Sequence, residues 1–245
     1  NSYKKKIITR EKINYINANK IICRSNWAAD SLLKDYKIKK EKIFYVPGGA
    51  NININYVDRS KLFYIPPSIS KENPIKLGFL GVDWERKGGN FLLSLANVFN
   101  NKGIPFEIRV IGPKRHTVPD HPCIRYLGFI NKISNLDNFV NELKTWHFGT
   151  LFSKAEAFGI SNRECLLLGV PIICHDVGGI SSTLPNSNFG KLFQPNPSPS
   201  IVYKWVIDIL NPYNKYISLR KKLFKNFDEF TWKYSVKNLK DILDN

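Results

Sequence analysis

Methionine is absent from this 245-residue sequence, and cysteine occurs only four times. Because the chain opens on Asn1 without any Met, it reads as a piece of a longer protein. Cys23, Cys123, Cys165 and Cys174 form no C-x-x-C pair, and none stands at metal-ligand spacing to a histidine. Cys165 and Cys174 lie in apolar runs and read as small core residues, so a reduced, cytoplasmic chain is the simplest inference. No apolar run approaches the roughly 20 residues of a membrane span. Residues 1–10 are basic but lack the apolar stretch of a signal peptide. There is no internal repeat and no low-complexity tract. Acidic residues are also scarce: 20 Asp and Glu against 37 Lys and Arg, a formal charge of +17. That balance favours anionic partners such as nucleotide phosphates, acidic lipid or nucleic acid. Much of it is lysine in a chain also rich in Asn and Ile, so composition alone accounts for the bulk of the charge. With 43% apolar and 23% charged residues, the chain is an ordinary globular one.

The β-rich runs are Lys20–Cys23, Ile43–Val46, Ile75–Leu80, Phe106–Ile111, Ile124–Leu127, Phe148–Phe152 and Pro171–Cys174. Between them Trp27–Lys34, Asn90–Asn100, Leu136–Leu143 and Ser161–Leu168 place apolar residues at three- and four-residue spacings, which predicts helices. Strands alternating with helices predict βαβ units, a parallel sheet and helices on both of its faces. Pro47-Gly48-Gly49-Ala50-Asn51 breaks both kinds of element and marks a boundary that can serve as a hinge. The βα series from Ile75 to about Gln194 follows, then a Pro-rich loop over Pro195–Pro199 and amphipathic helices from Ile201 to Leu243.

Two constellations carry chemistry. The first, Gly78-Phe-Leu-Gly-Val-Asp-Trp-Glu-Arg-Lys-Gly-Gly89, joins a predicted strand to a predicted helix. Ligands of parallel sheets bind at such junctions, and Arg86 and Lys87 bring two cations there, which suits a diphosphate. The spacing is neither a Walker A loop nor G-x-G-x-x-G, so a glycine-rich turn with solvated charges accounts for it equally well. Asp83-Trp84-Glu85 superficially resembles an acidic metal pair but reads as loop. The second constellation is Ser153-Lys-Ala-Glu-Ala-Phe-Gly-Ile-Ser-Asn-Arg-Glu164. Glu156 falls in a strand-to-helix loop and Glu164 about one turn into the helix, which Ser161 or Asn162 can cap. Gly169 and Pro171 end that helix. Two carboxylates beside a helix N-terminus suit sugar hydroxyls and phosphate. Taken alone, they also fit a helix-end glutamate and a solvated one.

Glu156 and Glu164 with seven residues between them, followed by Gly169-Val-Pro-Ile-Ile173, resemble the E-x7-E signature of glycosyltransferase family 4. Gly81–Gly89 resembles that family's glycine loop with its Lys-Gly. Asp176-Val-Gly-Gly-Ile180 resembles its later diglycine turn. Arg24–Ser31 and Val46–Asn51 resemble the segment where its first domain hands over to the second. The resemblance runs from about Asn14 to Leu243. It implies a GT-B fold of two Rossmann-like domains, and sugar transfer from a nucleotide donor with retention. Residues 1–50 would then end a truncated N-terminal acceptor domain, with 51–74 a linker, 75–230 the donor-binding domain and 231–245 a C-terminal helix.

By the same resemblance, Lys87 with Arg86 would neutralise the diphosphate, and Glu156 would hold the transferred sugar. These three are the catalytic candidates. Gly81, Ser153, Phe158, Gly159 and Ile160 would line the phosphates and sugar, Glu164 would take the ribose, and Phe129 and Ile130 the base. The family is similar in needing no metal, and no cofactor is implied beyond the nucleotide-sugar substrate. The acceptor would be a glycan or lipid-linked, and the histidine expected beside it would lie outside this sequence. His116, His121, His147 and His175 receive no role, and His175 reads as structural. Departures are Val82 where the family often has Arg, a place Arg86 can fill; Lys154 for Arg; and Ser181 and Ser182 where relatives carry Glu. Lys4-Lys5-Lys6 and the basic C-terminal helices leave room for peripheral contact with an acidic membrane, though a solvated basic face suffices. A basic nucleic-acid-binding module is the alternative from another class. The charges are dispersed, however, and no zinc-finger, RNA-recognition or helix-turn-helix pattern occurs, so no nucleic acid is expected. A GT-B relative that serves as a non-catalytic partner subunit is the third option.

Overall fold

The computed structural model describes residues 2–56, 59–185 and 189–244, with side chains described from residue 6 onward and excepting 56 and 59. Asn1, Asn245, Val57 and Asp58 of the expected linker, and the side chains of Lys4 and Lys5, therefore lie outside the described residues.

The first 50 residues form α1 (Ser2–Asn17), then a βαβ unit of β1 (Ile21–Cys23), α2 (Asn26–Lys34) and β2 (Ile43–Tyr45). β1 and β2 pair in parallel, Ile21 opposite Ile43. Ser25 starts α2 by accepting the Ala28 N–H on its hydroxyl at 3.2 Å. The helix α1 escaped the sequence expectations because it has no apolar stripe: Ile7, Ile8, Ile13 and Ile16 are all exposed.

The main sheet comprises β3 (Ile75–Leu80), β4 (Phe106–Ile111), β5 (Ile124–Gly128), β6 (Phe148–Leu151), β7 (Ile172–His175) and β8 (Gly190–Phe193). All pairings are parallel and the spatial order is β5-β4-β3-β6-β7-β8. The helices between them are α3 (Gly89–Asn101), α4 (Leu136–Leu143) and α5 (Ile160–Leu167). After the sheet come α6 (Pro199–Leu210), α7 (Tyr213–Lys225) and α8 (Trp232–Asp244). The edge strand β8 was not expected; four residues beginning with glycine carry too little pattern. Elsewhere the expected elements and the observed ones agree to within two residues at each end.

Strand residues Leu77, Phe79, Ile108, Val110, Ile172 and Ile173 are all essentially inaccessible, because helices cover both faces. One core packs α4, α5 and α7 with Trp146, Leu166 and Phe230. The other packs α3 and α6, with Phe99 stacked on Phe106 at 4.6 Å. Gly78 lets Trp146 lie across β3, since a Cβ there would fall 1.7 Å from the indole. Cys165 and Cys174 are core residues as expected, and burial pushes both thiols up.

The order of the six strands reverses between β3 and β6, with successive strands added outward on either side. In open parallel sheets the crevice at such a switch point, beyond the carboxyl ends of the two strands, is where ligands sit. Here that crevice lies between the loop after Leu80 and the loop after Leu151.

Buried polar groups tie the units together. The Arg163 guanidinium donates to the carbonyls of Gly48 at 2.9 Å, Thr183 at 3.3 Å and Glu229 at 2.8 Å, and lies over the Phe230 ring. Burial lowers its pKa to about 10, which leaves it a cation at neutral pH. The Pro47–Asn51 boundary is further strapped to α8 by Ser235 Oγ donating to Pro47 O at 2.5 Å and Trp232 Nε1 to Asn51 at 3.0 Å. His147 is buried, accepts the Lys76 N–H on Nδ1 at 3.0 Å, and is pushed by burial down to about 3. Its folded pKa lies below its unfolded value of 6.5, so its contribution to stability is complete above pH 6.5 and is lost as pH falls towards 3. Urea denaturation at stepped pH is expected to show that decline, with His175 (also lowered by burial) adding to it. A His147→Gln variant should have a shallower slope.

Candidate functional site

The loop between β3 and α3 presents Arg86 and Lys87. The Lys87 stem lies against Gly81, where a Cβ would fall 2.2 Å from the lysine Cδ. Opposite, the loop between β6 and α5 carries Glu156. Its Oε2 takes the Lys87 ammonium at 3.2 Å and Arg86 at 3.5 Å. Arg86 also donates to Ala155 O at 2.9 Å, and its own carbonyl accepts the Lys154 N–H at 2.8 Å, which staples the two loops together. The acidic pair of the first loop is spent on local ion pairs: Asp83 with Arg86 at 3.3 Å and Glu85 with Lys154 at 2.7 Å. Val82 is exposed, and Arg86 is the guanidinium that reaches Glu156.

Helix α5 starts on Gly159, whose φ of 92° is in the left-handed region. No side chain caps it. The expected cap at Ser161 or Asn162 is corrected: the helix begins a residue earlier than expected, both fall in its first turn, and Asn162 instead donates to Thr183 Oγ1 at 2.9 Å. The first-turn amides at Ile160 and Ser161 are thus left without a side-chain cap. Ser161 Oγ, Ser153 Oγ and His175 Nε2, around the same loop, are buried without hydrogen-bond partners. His175 packs edge-on against Phe152 and Phe91.

Glu164 follows one turn into α5, a helix whose residues Ser161–Leu167 are all buried. Burial raises its pKa, opposed by the charges of Lys132 and, further off, Lys87. Lys132, from the loop between β5 and α4, donates to Glu164 Oε1. Thus Arg86, Lys87, Glu156, Gly81 and Gly159 stand together at the switch point, while Glu164, one turn along α5, pairs with Lys132 and feels the Lys87 charge. Ser153 is fully buried, and Phe158 reaches Gly48 at the boundary, its ring 3.2 Å from where a Cβ would be. Of the remaining two candidates, Ile130 is partly buried against the core and Phe129 is 75% exposed.

Two residues of consequence were not singled out from the sequence. Lys132 sits in a polar loop without periodicity, and its partner is 32 positions away. Arg163 stands inside the seven-residue spacer, where a basic residue reads as solvated. The clue was available only in the all-round burial of the helix that carries it.

No protein-family model matches the sequence, and no curated protein matches it. Solved structures do. A glycosyltransferase from Rickettsia africae superposes with a TM-score of 0.72 at 19% identity, over 94% of this chain and 65% of that one. Sucrose-phosphate synthase from Thermosynechococcus elongatus gives 0.70 at 18%, over 97% of this chain and 60% of that one. HepE of Anabaena, solved with UDP-glucose, gives 0.68 at 15%, over 93% and 64%. The chain therefore spans less than two thirds of the length of these structures. At such identities the likeness is one of fold: this chain has the Rossmann-like α/β architecture of the GT-B glycosyltransferases.

Proposed function

We propose that this chain carries the donor site of a glycosyltransferase that moves a sugar from a nucleoside diphosphate to a glycan or lipid-linked acceptor, with retention and without a metal. The observation that carries this is the convergence of Lys87 and Arg86 on Glu156 at the switch point, just before the helix that carries Glu164 one turn in. Breaking a glycosyl–phosphate bond develops negative charge on the departing diphosphate. Fixed cations and helix-terminal amides stabilise that charge most in the transition state. Lys87, Arg86 and the amides at the start of α5 are such groups. Glu156, bridging the two cations, is close enough to them to accept sugar hydroxyls beside the scissile bond, and Glu164 accepts those of the ribose. The solved relative bound to UDP-glucose supports a nucleotide-sugar donor. In this reading residues 1–50 belong to the acceptor-side domain and 75–230 to the donor domain. The chain alone then binds donor without completing transfer, because positioning of the acceptor supplies much of the rate.

The test is calorimetry and thermal melting with UDP, ADP, GDP and their glucose conjugates. One of these is expected to stabilise the protein, and Glu164→Ala to weaken it at least about tenfold, the scale of a lost charged hydrogen bond. Steeply salt-dependent binding to polynucleotide that no nucleotide sugar displaces would refute the proposal.

A further inference from the structure

We infer that Lys132 is a positioning residue for the nucleotide: its ammonium holds the enclosed Glu164 as an oriented carboxylate whose other oxygen takes the ligand's ribose hydroxyls. This rests on the donor-site reading above and goes beyond it, because it gives a role to a residue outside both sequence constellations.

Glu164 is 1% exposed, on a helix buried all round and next to Cys165, Leu166 and Leu167 of the core. A carboxylate placed there alone pays a desolvation penalty large enough to favour the neutral acid. A neutral acid is a poor partner for a ribose diol, which offers two O–H donors and needs an ionised acceptor. Ionisation at this position therefore needs a cation brought to it. The titratable groups that act on Glu164 are Lys132 from the β5–α4 loop, Lys87 from the β3–α3 loop, and Cys165 beside it on α5, a thiol kept neutral by burial. Lys87 is engaged with Glu156, which leaves Lys132 as the direct partner.

The lysine is itself held from two sides. Its ammonium lies 4.8 Å from the centroid of the Phe139 ring on α4 and donates to Oε1 of Glu164. Its side chain is 32% exposed, so it stands at the border between the enclosed carboxylate and open solvent. With Ile133 it lines two adjoining clefts. One, of about 580 Å³, runs along Ser134–Asn138 with Asn53, and the other, of about 640 Å³, along Ala50–Asn55 with Trp232. Lys132 takes one oxygen of Glu164, so the orientation of the other is fixed before a ligand arrives. Its removal should show as a change in protonation, without loss of the phosphate contacts.

The experiment titrates the best-bound of UDP, ADP and GDP, and the 2′,3′-dideoxy analogue of that nucleotide, into wild type, Lys132→Met, Lys132→Arg and Glu164→Gln from about pH 5 to pH 9. Circular dichroism establishes that each variant is folded. Lys132→Met is expected to bind the ribonucleotide roughly tenfold more weakly at neutral pH. Its acid fall-off should move up by about 1–3 pH units, the effect of losing one close opposite charge. Affinity should return at the alkaline end, and Lys132→Arg should restore the wild-type profile. The dideoxy analogue should bind Lys132→Met and wild type alike, and Glu164→Gln should flatten the profile. Wild type that binds none of the three diphosphates refutes the donor-site reading itself. Wild type that binds, with Lys132→Met unchanged, refutes only the role of Lys132. An equal loss at every pH, shared by the dideoxy analogue, also overturns it and makes Lys132 a direct phosphate contact.

Discussion

Alanine at position 179 is expected to destabilise the protein by about 3 kcal/mol, at the upper end for overpacked sites, and to remove nucleotide binding. The Cβ would lie 1.9 Å from the Ala157 carbonyl oxygen and 2.7 Å from the Ser25 Cβ. The first of these is backbone and cannot swing aside. Gly179 also donates its N–H to Glu156 O at 2.9 Å, while at Gly178 a Cβ would meet that same oxygen at 2.1 Å. The diglycine turn is thus the wall against which the Glu156 loop is pressed. Pushing the wall forward lifts Glu156 from the cations it meets at 3.2 and 3.5 Å. Gly103→Ala is the control: its φ of 64° makes alanine strained by about 1–2 kcal/mol, but nothing lies within 4 Å, so binding should survive. Urea denaturation with calorimetry on both variants separates the outcomes. A Gly179→Ala protein that keeps its stability and its affinity would mean the turn does not set the loop.

That wall explains what the sequence made legible and what it hid. Gly and Pro stand at or beside both ends of Ile75–Leu80 and Phe106–Ile111, so these strands could be bounded from local pattern alone. The same punctuation marked both loops of the crevice, because a ligand-facing junction after a strand needs residues without bulk. What stayed hidden is long-range and carried by polar side chains. Ser182 stands in the turn where a Glu was expected from the resemblance. It accepts the Asn26 N–H at 2.9 Å and, through its carbonyl, the Tyr45 hydroxyl at 2.9 Å, so it locks the turn to the N-terminal βαβ unit. Arg163 and Lys132 likewise find their partners across the fold, and nothing in three- or two-residue periodicity encodes such pairings. The strand β8 and helix α1 were missed for the opposite reason: one is too short and the other too uniformly exposed to carry a pattern.

The second large effect belongs to Lys87. Replacing it by alanine is expected to weaken binding of a nucleoside diphosphate about 10- to 100-fold, the range of a charge-assisted hydrogen bond. In a protein context that completes transfer, the rate should fall by about a hundred- to a thousand-fold, since the cation meets charge that develops at the transition state. Two features put Lys87 ahead of its neighbour Arg86. Its side chain is 12% exposed against 41% for Arg86, so its charge acts in a drier place and is less screened. Its stem is pressed on Gly81, which fixes the ammonium before any ligand arrives and removes the entropy of ordering it. Lys87→Arg should not rescue, because the longer, planar head group cannot lie on the same track. The loss should follow the phosphates: large for the diphosphate, smaller for the monophosphate and negligible for the nucleoside. Calorimetry over that series measures it directly. An equal loss for all three would mean that Lys87 supports the crevice only through its pairing with Glu156 and meets no phosphate at all.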